Sequence, residues 1–99
     1  MHFEWDEEEN QLNLSKHRLD FETAITCWED SSSFDVWDEK HSILEEGRWL
    51  KFGRLPNGQV VCVVYTEHSE DHIRIIIAFS GRNIEKVYYE GQNLRGRSL

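Results

Sequence analysis

The 99-residue sequence has little cysteine, little proline and no long apolar run, and each shortage narrows the class of protein. Its two cysteines, Cys27 and Cys62, match no disulfide or metal-binding spacing, and Cys62 lies inside an apolar run. We therefore predict buried thiols in a reducing compartment rather than a disulfide. No apolar stretch approaches the roughly 18 residues that a membrane span needs. The acidic N-terminus lacks the basic and apolar regions of a signal peptide, which predicts a cytoplasmic protein with no membrane association.

Positive charge is scarce in the first half of the chain. The net charge is −8, and residues 1–50 hold 14 acidic and 4 basic side chains, whereas residues 51–99 hold 5 and 7. An acidic chain argues against non-specific nucleic-acid binding, which depends on neutralising phosphates. The second half still has enough basic residues for a local basic face, and the acidic half suits a basic partner.

The most apolar segment is Val60–Thr66, and a second apolar run follows at Ile73–Phe79. The first run is rich in β-branched residues and apolar on both faces, which predicts a central strand that is covered on each side. The polar connection between the runs predicts an antiparallel pair. Arg74 is the only charge in the second run, so its guanidinium must face an open surface or a partner carboxylate.

The other segments predict an α+β fold. A first helix begins after the capping residue Asp6 and ends near His17, and a second begins after Asp20. The remaining elements are a short edge strand at Phe3–Trp5, strands at Phe34–Trp37 and Arg48–Arg54, a turn at Pro56–Gly58 and a helix over Gly81–Glu90. We expect two N-terminal helices, an antiparallel sheet of about four strands and a C-terminal helix. They form one domain over residues 1–92, with a loose tail at 93–99.

An ordered set of residues covers about nine-tenths of the chain and matches a known pattern. Its opening part is Phe3-Glu4-Trp5-Asp6, Asn10, Asn13, Lys16-His17, Asp20-Phe21-Glu22 and Ala24. It continues at Asp30, Glu46, Arg48, Gly53, Tyr65-Thr66-Glu67, Arg74, Ala78, Glu85 and Tyr88-Tyr89. This pattern resembles that of the BrnT-type toxins, which are similar to the RelE-like ribonucleases of bacterial toxin–antitoxin pairs.

The resemblance implies a metal-independent endoribonuclease that acts on cellular RNA. It also implies a ribbon-helix-helix antitoxin similar to BrnA, which neutralises the toxin and binds operator DNA, so that the toxin meets DNA only indirectly. Whether the chain forms a homodimer, or a heterotetramer with the antitoxin, stays open. The resemblance predicts two helices, then an antiparallel sheet and a C-terminal helix (a RelE-like fold).

Cleavage of RNA without a metal needs proton transfer at the 2′-hydroxyl and the 5′-oxygen, and cations at the phosphate. The catalytic candidates are Lys16, His17, Arg48, Glu67 and Arg74, with Glu46 as an alternative carboxylate. The substrate-binding candidates are Tyr65, which offers a ring for base stacking, Arg54 and Arg82. This prediction requires the cations to meet on one exposed concave surface.

These candidates also have structural interpretations. Lys16 and His17 suit the negative end of a helix, and Arg48 suits an ion pair with Glu46. Tyr65 and Glu67 suit the end of a strand in the sheet. The four tryptophans are predicted as core or interface aromatics, with Trp37 and Trp49 as candidates for a dimer contact.

Several positions depart from the family pattern. Glu9, His68 and Phe79 stand where the family has basic residues, Arg18 stands where it has glycine, and Ile77 stands where it has serine. Arg82 is a candidate replacement for the basic residue lost at Phe79. The departures favour a second hypothesis, a catalytically weakened or inactive module of the same fold that binds a protein partner.

A metal-binding interpretation has little support. His68 and His72 lie four residues apart beside two acidic residues, but no cysteine or further histidine lies at a supporting spacing. No glycine-rich phosphate loop and no Ser-His-Asp arrangement is recognisable. We therefore predict neither a metal nor a nucleotide cofactor.

Overall fold

The protein folds around one five-stranded sheet in a computed structural model that describes residues 1–40 and 47–97. In chain order the elements are β1 (His2–Glu4), α1 (Glu7–His17), α2 (Phe21–Ala24), a 3-10 helix (Ile25–Glu29), β2 (Phe34–Trp37), β3 (Arg48–Arg54), β4 (Val60–Ser69), β5 (His72–Ser80) and α3 (Arg82–Arg97). The strand order is β1-β5-β4-β3-β2. Within the described ranges, every helix is too short or too polar to cross a membrane.

The sheet is mixed, which corrects part of the predicted fold. The α+β class and the central position of β4 are confirmed. The prediction of a purely antiparallel sheet of about four strands is wrong, because β1 adds a fifth strand that runs parallel to β5. This strand pairs only with residues 72–74, and α1 contacts β5 farther along. A parallel pair needs a long connection, and the chain between β1 and β5 provides one because it contains the N-terminal helices and three strands.

Asn13 joins α1 to the part of the β5 edge that β1 leaves unpaired. Its amide nitrogen donates to the carbonyl oxygen of Ala78 (2.8 Å), and its amide oxygen accepts from the Ala78 N–H (3.1 Å). One side chain therefore satisfies both backbone groups of an edge residue, as a further strand would. Asn10 acts similarly at the next helix, where its oxygen accepts from the Phe21 N–H (2.8 Å).

The ends of α1 follow local chemistry. Asp6 caps the helix, as predicted, and its carboxylate accepts from the N–H groups of Glu8 and Glu9. At the other end Arg18 has φ +56°, in the left-handed region that favours glycine, and its N–H donates to the Leu14 carbonyl. Glycine would serve as a C-terminal cap there without that backbone strain. This is the position at which the chain departs from the glycine of the family pattern.

The second predicted helix is only partly α-helical. Its α-helical turn ends at Ala24, and a 3-10 helix continues to Glu29. The Thr26 hydroxyl donates to the Thr23 carbonyl (2.6 Å), a local bond that competes with regular helix geometry. One side of this segment packs on the sheet: Phe21 and Ala24 are fully buried, and Trp28 packs beside them.

The two faces of the sheet carry different layers. The first face bears Val61, Val63 and Ile75, and the N-terminal helices cover it. The second face bears Phe52 and Cys62, and α3 packs on it through Ile84 and Tyr88. In β5 the residue Ile76 is an extra residue at a register shift, because Val64 pairs with Ile77 and Tyr65 pairs with Ile75. This bulge keeps the alternation of side chains aligned on both sides of it.

The two cysteines are free and buried, as predicted. Cys27 belongs to the core on the first face and Cys62 to the core on the second, so the sheet separates the two thiols. Burial raises the pKa of each thiol to about 12, which keeps both protonated and unreactive at neutral pH.

The helix α3 is longer than predicted. It runs to Arg97, so the predicted end of the helix at Glu90 is wrong. The reason is contact beyond the predicted end at Glu90: Gly91 packs closely against the Phe34 ring, and Gln92 donates to the Ser32 carbonyl (2.6 Å). These contacts anchor the helix past the last apolar residue of the sequence pattern.

Candidate functional site

The second face of the sheet has two ends, and only one of them lies under α3. At the covered end, Phe52, Cys62 and Phe79 pack with Tyr88 and Ile84 of the helix. At the opposite end, which we call the arginine end, Arg48 and Arg74 both pair with Thr66 of the strand between them. Their side chains therefore leave the sheet on the same face, on either side of one threonine.

The arginine end is polar and only partly buried. Arg48 and Arg74 are both half-buried. Within the part of the chain that the structure describes, Arg74 forms no ion pair and no side-chain hydrogen bond. The Thr66 hydroxyl is buried and has no hydrogen-bond partner among those residues. A guanidinium offers several donors in a rigid fork that matches a phosphate, so this arrangement suits an anion with several oxygens.

A carboxylate and an imidazole lie beside Arg74. In the register of the sheet, Glu4 of β1 lies opposite Arg74 of β5, and His68 lies two residues after Thr66 on β4. The Nδ1 atom of His68 is 3.0 Å from Oε1 of Glu4, and both side chains are about two-fifths exposed (42% and 44%). The pair therefore bridges β5 from its two neighbouring strands, next to the arginine.

Other predicted site residues lie at the far end of the sheet. His17 contacts Phe79 with 6.0 Å between the ring centres, and Phe79 is five residues from Arg74, roughly 16 Å along the strand at about 3.3 Å per residue. Lys16 precedes His17 in the last turn of α1. Arg54 ends β3, and Arg82 begins α3. The prediction that all the cations meet on one surface is therefore wrong: Arg48 and Arg74 lie at the same end of one face, and the others lie at the far end of the sheet.

Tyr65 and Glu67 project from the first face rather than from the second. Tyr65 is buried, and its hydroxyl donates to Oδ1 of Asp35 (2.8 Å) while its ring packs edge-on against Trp28. Burial, and next the bond to Asp35, raise the pKa of this phenol. A ring enclosed in this way has no surface for a base, so stacking by Tyr65 is not available. Glu67 is exposed on the side away from both arginines, and Glu46 lies outside the described residues.

The first face holds a buried cation that was not predicted from the sequence. Lys51 is 7% exposed, and its Nζ atom lies 3.2 Å from Oδ2 of Asp35 and 4.8 Å from the centre of the Trp28 ring. A lone charge between apolar residues of a strand, the signal that identified Arg74, also marks Lys51 in β3. Here the partner carboxylate is present, which accounts for the burial.

Asp30 is the second polar residue that the sequence left without a specific role. Its carboxylate accepts from the Tyr88 hydroxyl (2.7 Å) and from the N–H groups of Arg54 (2.9 Å) and Ser32 (2.9 Å). Partial burial acts to raise the pKa of this carboxyl, but the three hydrogen bonds outweigh it and hold the pKa below its ordinary value. These bonds tie α3 and β3 together, so Asp30 supports the covered end.

The two histidines of the metal-binding interpretation have different neighbours. His68 lies against Glu4, whereas Nδ1 of His72 is 3.0 Å from the Ser69 hydroxyl and its ring stacks on His2 with 5.0 Å between centres. Across residues 1–40 and 47–97, no three histidine, cysteine, aspartate or glutamate side chains converge in a way that would hold a metal ion.

Comparisons with known proteins point to one family. A family model described as "Ribonuclease toxin, BrnT, of type II toxin-antitoxin system" matches residues 5–85. A solved structure, the 1.1 Å crystal structure of the ribonuclease toxin BrnT of Brucella abortus, matches with a TM-score of 0.63 at 20% identity. The match covers 82% of this chain and 96% of the other, which at that identity shows a shared fold. The search of curated proteins returned no match.

Proposed function

This chain belongs to the BrnT family of ribonuclease toxins of type II toxin–antitoxin systems, and we propose that it is itself an endoribonuclease that cuts cellular RNA without a metal ion. The observation that carries the proposal is the pair of half-buried arginines, Arg48 and Arg74, on either side of Thr66 on one sheet face. Two guanidiniums in register can hold one phosphate between them.

Cleavage of RNA requires the protein to stabilise the negative charge that builds on the phosphate as the 2′-oxygen attacks. Donors that are already in place and partly shielded from water are effective at this, because they need no rearrangement during the reaction. Arg74 meets this description: it lies on β5 between two neighbouring strands, and no carboxylate among the described residues forms an ion pair with it. In the proposed mechanism, Arg48 and Arg74 bind the scissile phosphate and stabilise the transition state.

The cations at the far end have a different proposed role. Lys16, His17, Arg54 and Arg82 lie too far from Arg74 to reach the same phosphate. We propose that they contact the flanking phosphates of an RNA strand that extends past the sheet, because such contacts add affinity without sequence preference. Such contacts also offset part of the repulsion between RNA and a chain of net charge −8.

The antitoxin is proposed to be a ribbon-helix-helix protein similar to BrnA, acting in the cytoplasm on a toxin with a RelE-like fold. Family membership implies an antitoxin of some kind, and the acidic N-terminal half supports a basic partner such as a DNA-binding protein. In this proposal the toxin meets operator DNA only through the antitoxin.

The test is cleavage of RNA by the purified protein, with EDTA present, and after replacement of Arg74. We expect cleavage by the parent and a loss of about 10²- to 10³-fold in rate for Arg74→Ala, the cost of removing one donor to a developing oxyanion. Lys86→Ala is the matched control, because it removes an exposed positive charge from α3 and should cut at the parental rate. Induced expression should arrest growth for the parent and the control only.

Two results would refute the proposal. One is the absence of cleavage and of growth arrest for a well-folded parent, and the other is parental activity for Arg74→Ala. Arg74→Lys adds a finer measurement: it keeps the charge but loses the two-point contact, so an intermediate rate is expected.

A second candidate function is a non-catalytic module that holds a protein partner. The observation that favours it is the distance of Lys16 and His17 from the two arginines, which separates the predicted proton-transfer groups from the phosphate site. A tight complex with the product of the adjacent reading frame, together with no cleavage by the free protein, would support this second function over the first.

A further inference from the structure

The two edges of the sheet differ in how they are covered. At one edge, β1 pairs with residues 72–74 of β5, and the Asn13 side chain binds both backbone groups of Ala78 farther along. At the other edge, β2 pairs with β3 and with no other strand among residues 1–40 and 47–97. An edge without such cover presents free N–H and C=O groups, which can pair with a further strand.

The hydrogen-bond pattern of β2 shows which backbone groups face outward. The Asp38 N–H donates to the Arg48 carbonyl on β3 (2.9 Å). Hydrogen-bonded positions alternate along an antiparallel pair, so Val36 also bonds to β3. Asp35 and Trp37 lie between these positions, and their N–H and C=O groups point away from β3. No described residue binds those outward groups, so the edge offers two donors and two acceptors at the spacing of an extended chain.

Side chains hold β2 in place on both faces of the sheet. On the second face, Phe34 packs against the core beneath α3. On the first face, Oδ2 of Asp35 lies 3.2 Å from Nζ of the buried Lys51, and the Trp37 ring packs edge-on against Trp49 with 5.0 Å between centres. The backbone of β2 is therefore ordered before a partner arrives, which lowers the entropic cost of binding.

Apolar side chains are exposed at the same edge. Val36 is 41% exposed and Trp37 is 43% exposed, and they leave opposite faces of the strand. Of the large exposed apolar side chains in the described parts of the chain, these alone belong to a strand. The strand also contains no lysine, no proline and no bulge, which are common devices against edge pairing. An added strand would bury apolar surface on both faces.

The charge around β2 decides what kind of chain fits this edge. Residues 29–39 hold five acidic and no basic side chains. In a pair of identical copies, this acidic edge would meet the same acidic edge of a second chain of net charge −8. An extended segment that carries lysine or arginine complements the edge instead.

We propose that β2 is the site at which an extended, basic segment of the antitoxin adds a strand to the sheet. This inference rests on the antitoxin partnership proposed above and does not depend on RNA cleavage. The backbone of the segment bonds to the outward groups of Asp35 and Trp37, and an apolar side chain lies opposite Val36. Its basic side chains lie beside the acidic residues that flank β2.

Hydrogen exchange tests this contact in the unmodified protein, alone and in complex with the product of the adjacent reading frame. In the free protein, the Asp35 and Trp37 amides should exchange faster than the Val36 amide, which already bonds to β3. Formation of the complex should slow exchange at Asp35 and Trp37 by about tenfold or more, because both amides gain an acceptor. A complex in which these two amides exchange as fast as in the free protein would overturn the inference.

Trp37→Pro removes one outward N–H, and Trp37→Ala is its matched control because both variants lose the indole ring. Proline is tolerated at an edge position whose N–H faces solvent, so both variants should fold, which thermal melting checks. The Kd for the antitoxin should be about tenfold higher for the proline variant than for the alanine variant. Equal affinity of the two variants would contradict strand addition.

Val36→Lys tests the chemistry of the partner. A lysine at this position places a positive charge against a basic segment, whereas Val36→Thr keeps the β-branched shape without a charge. We expect the lysine variant to bind the antitoxin about tenfold more weakly than the threonine variant. Tighter binding by the lysine variant would mean that the partner segment is acidic, and the inference would be wrong.

The remaining outcomes separate this inference from the proposed function. If the complex forms and blocks cleavage, but the Asp35 and Trp37 amides gain no protection, the inference is wrong and the proposed function stands. If the folded parent forms no complex with that product, the proposed antitoxin and the inference both fail. If light scattering of the free protein shows a dimer in which these amides are protected, the occupant is a second copy and the antitoxin segment is wrong. Antitoxin binding at this edge by a protein that cuts no RNA would support the inference while refuting the ribonuclease proposal.

Discussion

The covered end and the arginine end of the second face are made from the same three strands, yet the first is apolar and packed under α3 and the second is polar. At the covered end Phe52 stacks on Phe34 with 5.4 Å between ring centres, and Tyr88 packs over them. At the arginine end, in the same rows of side chains, Arg48 and Arg74 flank a buried hydroxyl that has no described partner. The boundary between them is where contact with α3 ends.

The difference shows how one sheet serves two purposes. The helix removes apolar surface from water and so stabilises the fold, at roughly 25 cal/mol per Å². The rows beyond the contact with α3 keep polar groups, which cost stability but suit a charged ligand. The comparison predicts that substitutions at the covered end change stability, and that substitutions at the arginine end change cleavage.

The largest effect on stability is expected for Phe52→Ala at the covered end. Truncation of a buried phenylalanine typically lowers the free energy of unfolding by about 3–5 kcal/mol, because it removes burial and leaves a cavity. Chemical denaturation measures this change, with Val87→Ala on the exposed side of α3 as the control. Cleavage per folded molecule should stay at the parental rate. A loss of cleavage in folded Phe52→Ala would break the division between the two ends.

A smaller effect is expected for Tyr88→Phe, which removes the 2.7 Å bond to Asp30. A hydrogen bond to a charged group is worth about 1.5–3 kcal/mol, and the partial exposure of Asp30 places this one at the lower end. The pKa of Asp30 is below its ordinary value of 3.8 in the folded protein, so its contribution is present at neutral pH and is lost as the pH falls below that value.

Denaturation at neutral and acidic pH checks this dependence. The stability difference between the parent and Tyr88→Phe should shrink at acidic pH, and Asp30→Asn should show a weaker dependence on pH than the parent. An undiminished difference at the acidic end of the titration would mean that the Asp30 carboxylate does not bind α3 in the way that the contacts indicate.

A gain of stability is expected for Thr66→Val at the arginine end. The change replaces a buried hydroxyl without a described partner by a methyl group of similar shape, so the free energy of unfolding should rise by about 1 kcal/mol. Cleavage should fall, because the hydroxyl lies between the two arginines that bind the phosphate. A variant that is more stable and equally active would show that the hydroxyl has no part in the site.

The smallest effect is expected for Lys16→Ala. This residue lies near Phe79, and charges more than about 10 Å apart are largely screened at 0.1 M salt. The rate at saturating RNA should therefore match that of the parent, while KM rises slightly through the lost contact with a flanking phosphate. A fall in the saturated rate as large as that of Arg74→Ala would place Lys16 in the catalytic step after all.

The opening signature illustrates what sequence resemblance does and does not explain. Asn10 and Asn13 identify the family, but only the structure shows their function, which is to satisfy the backbone groups of Phe21 and Ala78. The left-handed backbone conformation of Arg18 explains why the family pattern has glycine at this position. Such roles depend on a partner more than ten residues away or on a backbone angle, and neither is visible in a list of residue types.

Only part of the predicted site could be identified from the sequence, because the sequence does not show which face a side chain leaves. Arg74 stands out in the sequence because it is a lone charge in an apolar strand, and its pairing with Thr66 brings Arg48 onto the same face. Lys51 carries the same signal, but its side chain leaves the opposite face and meets Asp35. Side chains alternate between the two faces along a strand, so a shift of one position decides which face a charged side chain leaves.

The sequence by itself determined the kinds of element and their approximate bounds, because hydrophobic period, capping residues and turn residues act over a few positions. The strands Phe34–Trp37 and Arg48–Arg54, the Asp6 cap and the buried segment Val60–Thr66 of β4 all follow from such local patterns. Only the tertiary structure decided the parallel pairing of β1, the path of α3 and the separation of the cations into two groups. Those features depend on which strands lie side by side and which half of a face a helix covers, and contacts between distant parts of the chain settle both.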